Sequence, residues 1–349
     1  MRTYGPGGFP WAEGVPTLRR RLQVALVIAL AGAAAHYLRA AENLGISDFT
    51  ALWHGARFLF EGRDPYLLIG PSGQIVTPSP VYYPATAFVA VLPLTLLPFH
   101  LAGTTFVFIS SFLLALGATK DGWHRLPMFP SIAFATSAQL GQWSIIMTAA
   151  VFIPVLAVLA AAKPQASLPV IASSAVRTTY VAAGIGAIVL IGASLLMLPG
   201  WPVEWWRLLG TTQYFVPPIM RFGGPAIALV LLRWRRREAW LVFIAACLPQ
   251  TWYPYNGLLL LSIAATYREA CVLSLVSSAG WLLTYLFLPG EMRTLETQAA
   301  WGGVLIATSY LPAVIAVLRR PAEGIAPLWY QWFVSAIRWR RSAKDFRTH

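Results

Sequence analysis

The stretch "LQVALVIALAGAAAHYLRAAENLGISDFTALWHGARFLFEGRDPYLL", residues 22–68, joins two kinds of chain. Residues 22–38 contain no Asp, Glu, Lys or Arg, and a transmembrane helix needs roughly 20 mostly apolar residues. Residues 45–68 then bring two aspartates, two arginines and a histidine. Three further apolar runs, 181–198, 271–288 and 302–318, repeat the first pattern. Continuous runs of this length point to helices, because membrane barrels are written as short alternating segments.

The composition agrees. Of 349 residues, 57% are hydrophobic and only 11% charged, with a mean hydropathy of +0.62. A soluble domain carries about a quarter charged residues. The net charge of +13 is held in short clusters between apolar runs: Arg19 to Arg21, Arg233 with Arg235 to Arg237, Arg319 with Arg320, and Arg338 with Arg340 and Arg341. That distribution is the positive-inside pattern of cytoplasmic loops meeting anionic lipid, and it assigns the charge to topology rather than to nucleic acid. Residues 1–21 are too long and polar for an ordinary cleavable signal, so the first helix is expected to stay as an anchor. Cys247 and Cys271 both lie in apolar segments and supply neither a disulfide framework nor a metal motif.

These features give an all-α polytopic membrane protein: a cytoplasmic segment 1–21, a transmembrane domain 22–319 with an outer-face loop 42–83, and a basic, aromatic tail 320–349 at the cytoplasmic interface. Residues 84–99 and 101–118 read as a helical hairpin, 143–162 as a full span closed by Lys163-Pro164, and 180–199, 270–288 and 302–318 as further spans. Two short helices within 239–266 meet at a polar elbow, "PQTWYPYN". The bundle is expected to have roughly 10–12 spanning or partly spanning helices, with both termini cytoplasmic.

Within the outer-face loop, Phe49, Leu52, Trp53, Ala56 and Phe60 fall at helical spacing, with Thr50, His54, Arg57 and Glu61 elsewhere on the wheel. This predicts an amphipathic helix lying on the outer membrane face, with Gly62 as its C-terminal cap. Asp48 stands at its start, either as an N-cap, a job for which Ser47 competes, or as a general base for an acceptor hydroxyl. Asp64 in "RDPY" suits an Asx-type turn that supports the loop.

The order of "SDF", "EGRDPYL", "VYYPATAF", "GQWS" and "KPQ" over residues 45–165 resembles the integral-membrane glycosyltransferases of the C-type superfamily. It is most similar to glycosyltransferase family 87, whose members use polyprenyl-phosphate-mannose. The resemblance implies a C-type glycosyltransferase bundle, with Asp48 in the place of the family's proposed base. Near the C-terminus Trp252 keeps the family's place, whereas Tyr253, Tyr255 and Asn256 stand where histidine is usual.

The implied reaction is an inverting transfer of a hexose from a polyprenyl phosphate to a lipid or envelope-glycan hydroxyl. A departing phosphate needs positive charge, for which Lys163, Arg57, Arg63 and Arg221 are the candidates. Lys163 can equally be a snorkelling helix-end lysine, and Arg57 and Arg63 can contact lipid headgroups. Tyr82, Tyr83, Trp252, Tyr253 and Tyr255 form either aromatic platforms for the sugar and lipid or an interfacial belt. Gln142 and Asn256 either bind sugar hydroxyls or cap broken helices. Glu204 is a weaker candidate for the acceptor. No metal and no cofactor besides the lipid-linked sugar donor is expected. Two other classes fit the chain: a transferase-like structural subunit of a membrane complex, and a transporter or flippase of lipid-linked sugars.

Overall fold

The computed structural model describes residues 15–42, 47–211, 215–251, 253–287 and 302–345. Trp252 and most of the N-terminal segment lie outside the described residues. The fold is helical. Two-residue strands, Ile69–Gly70 and Ile75–Val76, pair in parallel and are the sole sheet among the described residues.

Among the described residues four helices are long and apolar enough to cross a membrane: α1 (Leu18–Ala41), α4 (Phe99–Ala118), α8 (Arg177–Met197) and α11 (Tyr267–Phe287). Between them come α2 (Asp48–Phe60), α3 (Ala85–Val91), α5 (Ile132–Leu140), α6 (Ser144–Ala150), α7 (Pro164–Ser173), α9 (Trp201–Gly210) and α10 (Arg237–Cys247). The chain closes with α12 (Leu311–Leu318) and α13 (Leu328–Asp345).

α1 buries Ala25, Ala29, Gly32, Ala33 and His36, a stripe of mostly small side chains that lets the backbone of α4 come close. A methyl added at Gly32 would lie 2.9 Å from Ser111 Oγ, and one at Gly103 would strike His36. Arg21 donates to the carbonyl of Leu116 at 2.6 Å, so α1 and α4 run antiparallel. The opposite face of α1, with Leu26, Val27 and Leu30, is left exposed as a lipid-facing side would be. α8 follows the same plan: Thr179, Ala182, Gly186, Leu190 and Ser194 are buried, while Ile185, Ile188 and Leu196 are bare. Gly186 lies so close to the 3₁₀ segment Pro154–Ala162 that an added methyl would overlap the carbonyl of Val158.

The structure departs from the sequence reading at three places. Residues 84–99 are not one arm of a hairpin with α4, whose main partner is α1. α3 and the following 3₁₀ turn, Leu92–Leu96, both lie against α2, and Phe99 meets Trp53 at 5.7 Å between ring centroids. Pro93 and Pro98 remove backbone donors and end the helix early. The second departure is at 143–162, which divides into α6 and the 3₁₀ run, with Pro154 at the break. The third is α2 itself, which is inserted into protein rather than laid on lipid. Phe49, Leu52, Trp53 and Ala56 are buried as the spacing predicts, but so are Gly55, Phe58 and Leu59, and Phe60 is 77% exposed.

The polar elbow after α10 is as read: the chain turns at Pro254–Gly257 into the short helix Leu258–Leu261. The first turn of α13 is docked, with Trp329 Nε1 donating to the carbonyl of Ala172 at 2.8 Å and Trp329 edge-on to Trp240. Its Trp332 and Phe333 are exposed.

Candidate functional site

Five helix ends meet at one place, and the residues that meet there are short-range consequences of how each helix starts or stops. At the start of α2, Ser47 Oγ accepts the amide of Thr50 at 3.2 Å and Thr50 Oγ1 accepts the amide of Ser47 at 3.2 Å. This capping box satisfies the free donors of the first turn. Ser47 is therefore the cap, and the Asp48 carboxylate is free to turn elsewhere. It accepts a hydrogen bond from Gln142 Nε2.

Gln142 is delivered by the end of α5. Gly141 takes the left-handed conformation at φ 63°, with its amide donating to Ala138 and that of Gln142 to Ser137 at 2.9 Å. This is the usual glycine-terminated helix stop. Glycine is needed twice here, since a methyl would also sit 2.7 Å from Phe49 Cβ. Gln142 is fully buried. Its Oε1 accepts from Lys163 Nζ at 2.7 Å and from the Tyr83 hydroxyl at 3.4 Å.

Lys163 stands where the 3₁₀ run ends and Pro164 opens α7. It is 5% exposed, so it does not snorkel to a surface. Its ammonium lies over the rings of Tyr83 and Tyr255, at 5.6 and 5.1 Å from their centroids, in cation–π range. Thr86 Oγ1, on the first turn of α3, donates to the carbonyl of Ala161 at 2.6 Å and fixes the strand of chain that carries Lys163.

Asp48, Gln142 and Lys163 thus form a chain of carboxylate, amide and ammonium, roofed by two tyrosines. The two charges are joined through Gln142, with no direct ion pair between them. Burial pushes the Asp48 carboxyl above its ordinary range, against the pull of Lys163 and of the Gln142 amide. Burial also pulls the Lys163 ammonium down to about 8, against the pull of Asp48. A cavity of about 30 Å³ adjoins Lys163, Gln165, Gln250, Tyr255 and Asn256; it has room for one or two waters.

The other residues singled out from the sequence fall outside this chain. Arg57 and Arg63 are exposed, each near Glu61 and each over a neighbouring ring, Trp53 and Phe58. Arg221 is buried and donates to the carbonyls of Val216 and Gln250 at 3.2 and 2.9 Å, which makes it a clamp on the elbow. Asn256 Nδ2 donates to the Thr251 carbonyl at 2.6 Å, closing the same elbow. Tyr253 stacks on Tyr255 at 5.5 Å, and Tyr82 meets Phe215 edge-on at 5.1 Å. Asp64 Oδ1 accepts the amide of Tyr66 at 2.9 Å, the expected Asx turn. Glu204 pairs with Arg207 at 2.9 Å on α9. Among the described residues no three His, Cys, Asp or Glu side chains are grouped to hold a metal ion.

One contributor was missed by the sequence reading. His36, in the first apolar run, is 2% exposed; its Nδ1 lies 3.1 Å from the carbonyl of Gln139, and its ring is edge-on to Phe49. It thereby braces both the end of α5 and the start of α2. A lone histidine after a run of alanines, about one and a half turns before a helix end, was the available signal.

No family model matches this chain. No curated protein and no solved structure matches it at a significant level either.

Proposed function

We propose that this chain is a membrane glycosyltransferase that moves a hexose, mannose by the family resemblance, from a polyprenyl phosphate to a hydroxyl of a lipid or envelope glycan. The observation that carries the reading is the Asp48–Gln142–Lys163 chain, its glutamine and lysine buried and its carboxylate partly so, assembled from segments that are about 20 to 95 residues apart in sequence. Asp48 takes the proton of the acceptor hydroxyl as its oxygen bonds to the anomeric carbon. The bond from that carbon to the phosphate oxygen breaks on the opposite face, inverting the centre. The phosphate leaves as an anion towards the Lys163 ammonium, and Gln142 holds the two charged groups at a fixed separation. A carboxyl raised by burial is a stronger base once ionised, and an ammonium in a water-poor site stabilises developing negative charge strongly. Tyr83 and Tyr255 offer flat faces to the sugar ring. The site is assigned to the outer membrane face, with the arginine clusters in the cytoplasm.

The test is transfer from polyprenyl-phosphate-mannose to extracted lipids by the purified wild type and by Asp48→Asn. Transfer that is lost in a still-folded Asp48→Asn supports the reading. Undiminished transfer by the variant removes Asp48 as the base.

The closed packing favours a second reading. The cavity beside Lys163 is of water size, so a sugar is admitted only if Tyr83, Tyr255 or the elbow shifts. A chain that stays closed would serve as a transferase-like subunit packed against other membrane proteins. No transfer with several lipid-linked sugars, together with a stoichiometric companion on purification in mild detergent, would select it.

A further inference from the structure

A second cavity, of about 40 Å³, lies at the opposite end of the same helices. α6, α7 and α10 give Ser144, Ala166 and Ala245 to the Lys163 cavity, and Ala150, Ser173 and Leu241 to this one. Its wall includes the first turn of α10, at the end of the arginine-rich segment 233–237.

Two guanidinium groups line it, Arg125 and Arg237. Arg125 lies in the turn between α4 and α5, with Cζ 5.0 Å above the Phe152 ring. Its Nε and Nη1 are shut away from solvent without a hydrogen-bond partner. Among the described residues neither side chain forms a hydrogen bond or an ion pair with protein. The one carboxylate in the wall, Glu238, faces Arg320 at 3.7 Å, and Arg320 also holds Glu269 at 2.7 Å. Asp121, the other acidic neighbour of Arg125, is exposed and makes no ion pair with it. Burial pulls the Arg125 guanidinium down only to about 10, so it is charged at neutral pH. The hydroxyls of Ser173 and Ser262 donate to the carbonyls of Val170 and Leu259, and that of Ser174 is held by Thr179 and the Val176 amide, which leaves recognition to the arginines.

Two guanidinium nitrogens shut from solvent without a partner are costly on a half-buried cation, and an anion seated against them removes that cost. Guanidinium forks match the oxygens of phosphate, and two of them can hold one phosphate from two sides. We infer that this cavity is a phosphate-binding site, formed by Arg125 and Arg237, for a phospholipid headgroup or a free phosphate. The site is separate from the proposed transferase centre and does not depend on it.

The test is calorimetric titration of the delipidated full chain in neutral detergent, with inorganic phosphate and, separately, with dihexanoyl phosphatidic acid. Dihexanoyl glycerol, with the same tails and no phosphate, is the control. Binding of phosphate itself identifies a free-phosphate site, and binding of phosphatidic acid alone identifies a headgroup site; either supports the inference. In both cases Arg125→Gln and Arg237→Gln should each weaken binding at least tenfold, by the loss of one charge-assisted contact. Arg237 is only half-buried, so Arg237→Gln decides alone if Arg125→Gln does not fold. Binding by neither probe, binding unchanged in Arg237→Gln, or equal binding of dihexanoyl glycerol would overturn it.

Discussion

At Asp48 a partly buried carboxylate is joined through one fully buried glutamine to a lysine that is 5% exposed. Removing Lys163 alone strands the carboxylate, so Lys163→Met should lower unfolding stability by about 3 kcal/mol. The Asp48→Asn, Lys163→Met double variant should lose clearly less than the sum of the two single losses, because coupled groups are not additive. Strict additivity in thermal or denaturant unfolding would mean that the two charges do not communicate. The same pair sets an expected pH profile for transfer. Asp48 acts ionised and burial raises it, so the rate should fall on the acid side at a pH above that of an ordinary carboxylate. Lys163 acts charged and burial lowers it, so the rate should fall again as pH rises through about 8. An alkaline limb that persists unchanged in Lys163→Gln would exclude Lys163 as its source.

On the scale of single elements, the site depends on how helices begin and end. Ser47→Ala removes one half of the capping box and should cost about 1 kcal/mol. In that variant Asp48 becomes the nearest replacement cap, so transfer should fall more than stability does. Equal losses would argue that the cap supports the fold alone. Gly141→Ala places a methyl against Phe49 in a backbone region that disfavours side chains. Its expected cost is about 1–3 kcal/mol, read as a drop in unfolding temperature. Much of this scale is legible from residue order: "SDFT" contains the cap and the acid, "LGQW" the glycine stop, and "KPQ" the proline that opens α7. The insertion of α2 between α3 and α4 is not legible, because a helix with a wide apolar face has the same sequence whether protein or lipid covers it. For Arg57, Arg63 and Arg221, candidates for the phosphate by their charge, the surroundings are likewise not legible. An arginine's charge is plain in sequence, but its partner, Glu61 or a backbone carbonyl, is set by packing.

For the whole molecule, the antiparallel pair α1 and α4 and the position of the site near the end of α1 put the arginine clusters and Asp48 towards opposite ends of the bundle. Single cysteines placed at Glu61 and Glu323, in a Cys247→Ser, Cys271→Ser background, should therefore react with a membrane-impermeant maleimide from opposite sides. Labelling of both from one side would require the bundle to be turned in the membrane.

The amino-acid order by itself determined that the protein is helical and built for a membrane, because the free energy of placing some 20 uncharged residues in lipid is a local sum that needs no partner. It also determined most helix stops, since proline and glycine act on their own backbone. Only the tertiary structure decided that Asp48 reaches Gln142, that Gln142 reaches Lys163, and that Arg125 and Arg237 share a cavity. Those pairings join residues from about 20 to more than 100 positions apart. They follow from which small-residue faces allow helices to approach, a property of pairs of surfaces and not of any single segment.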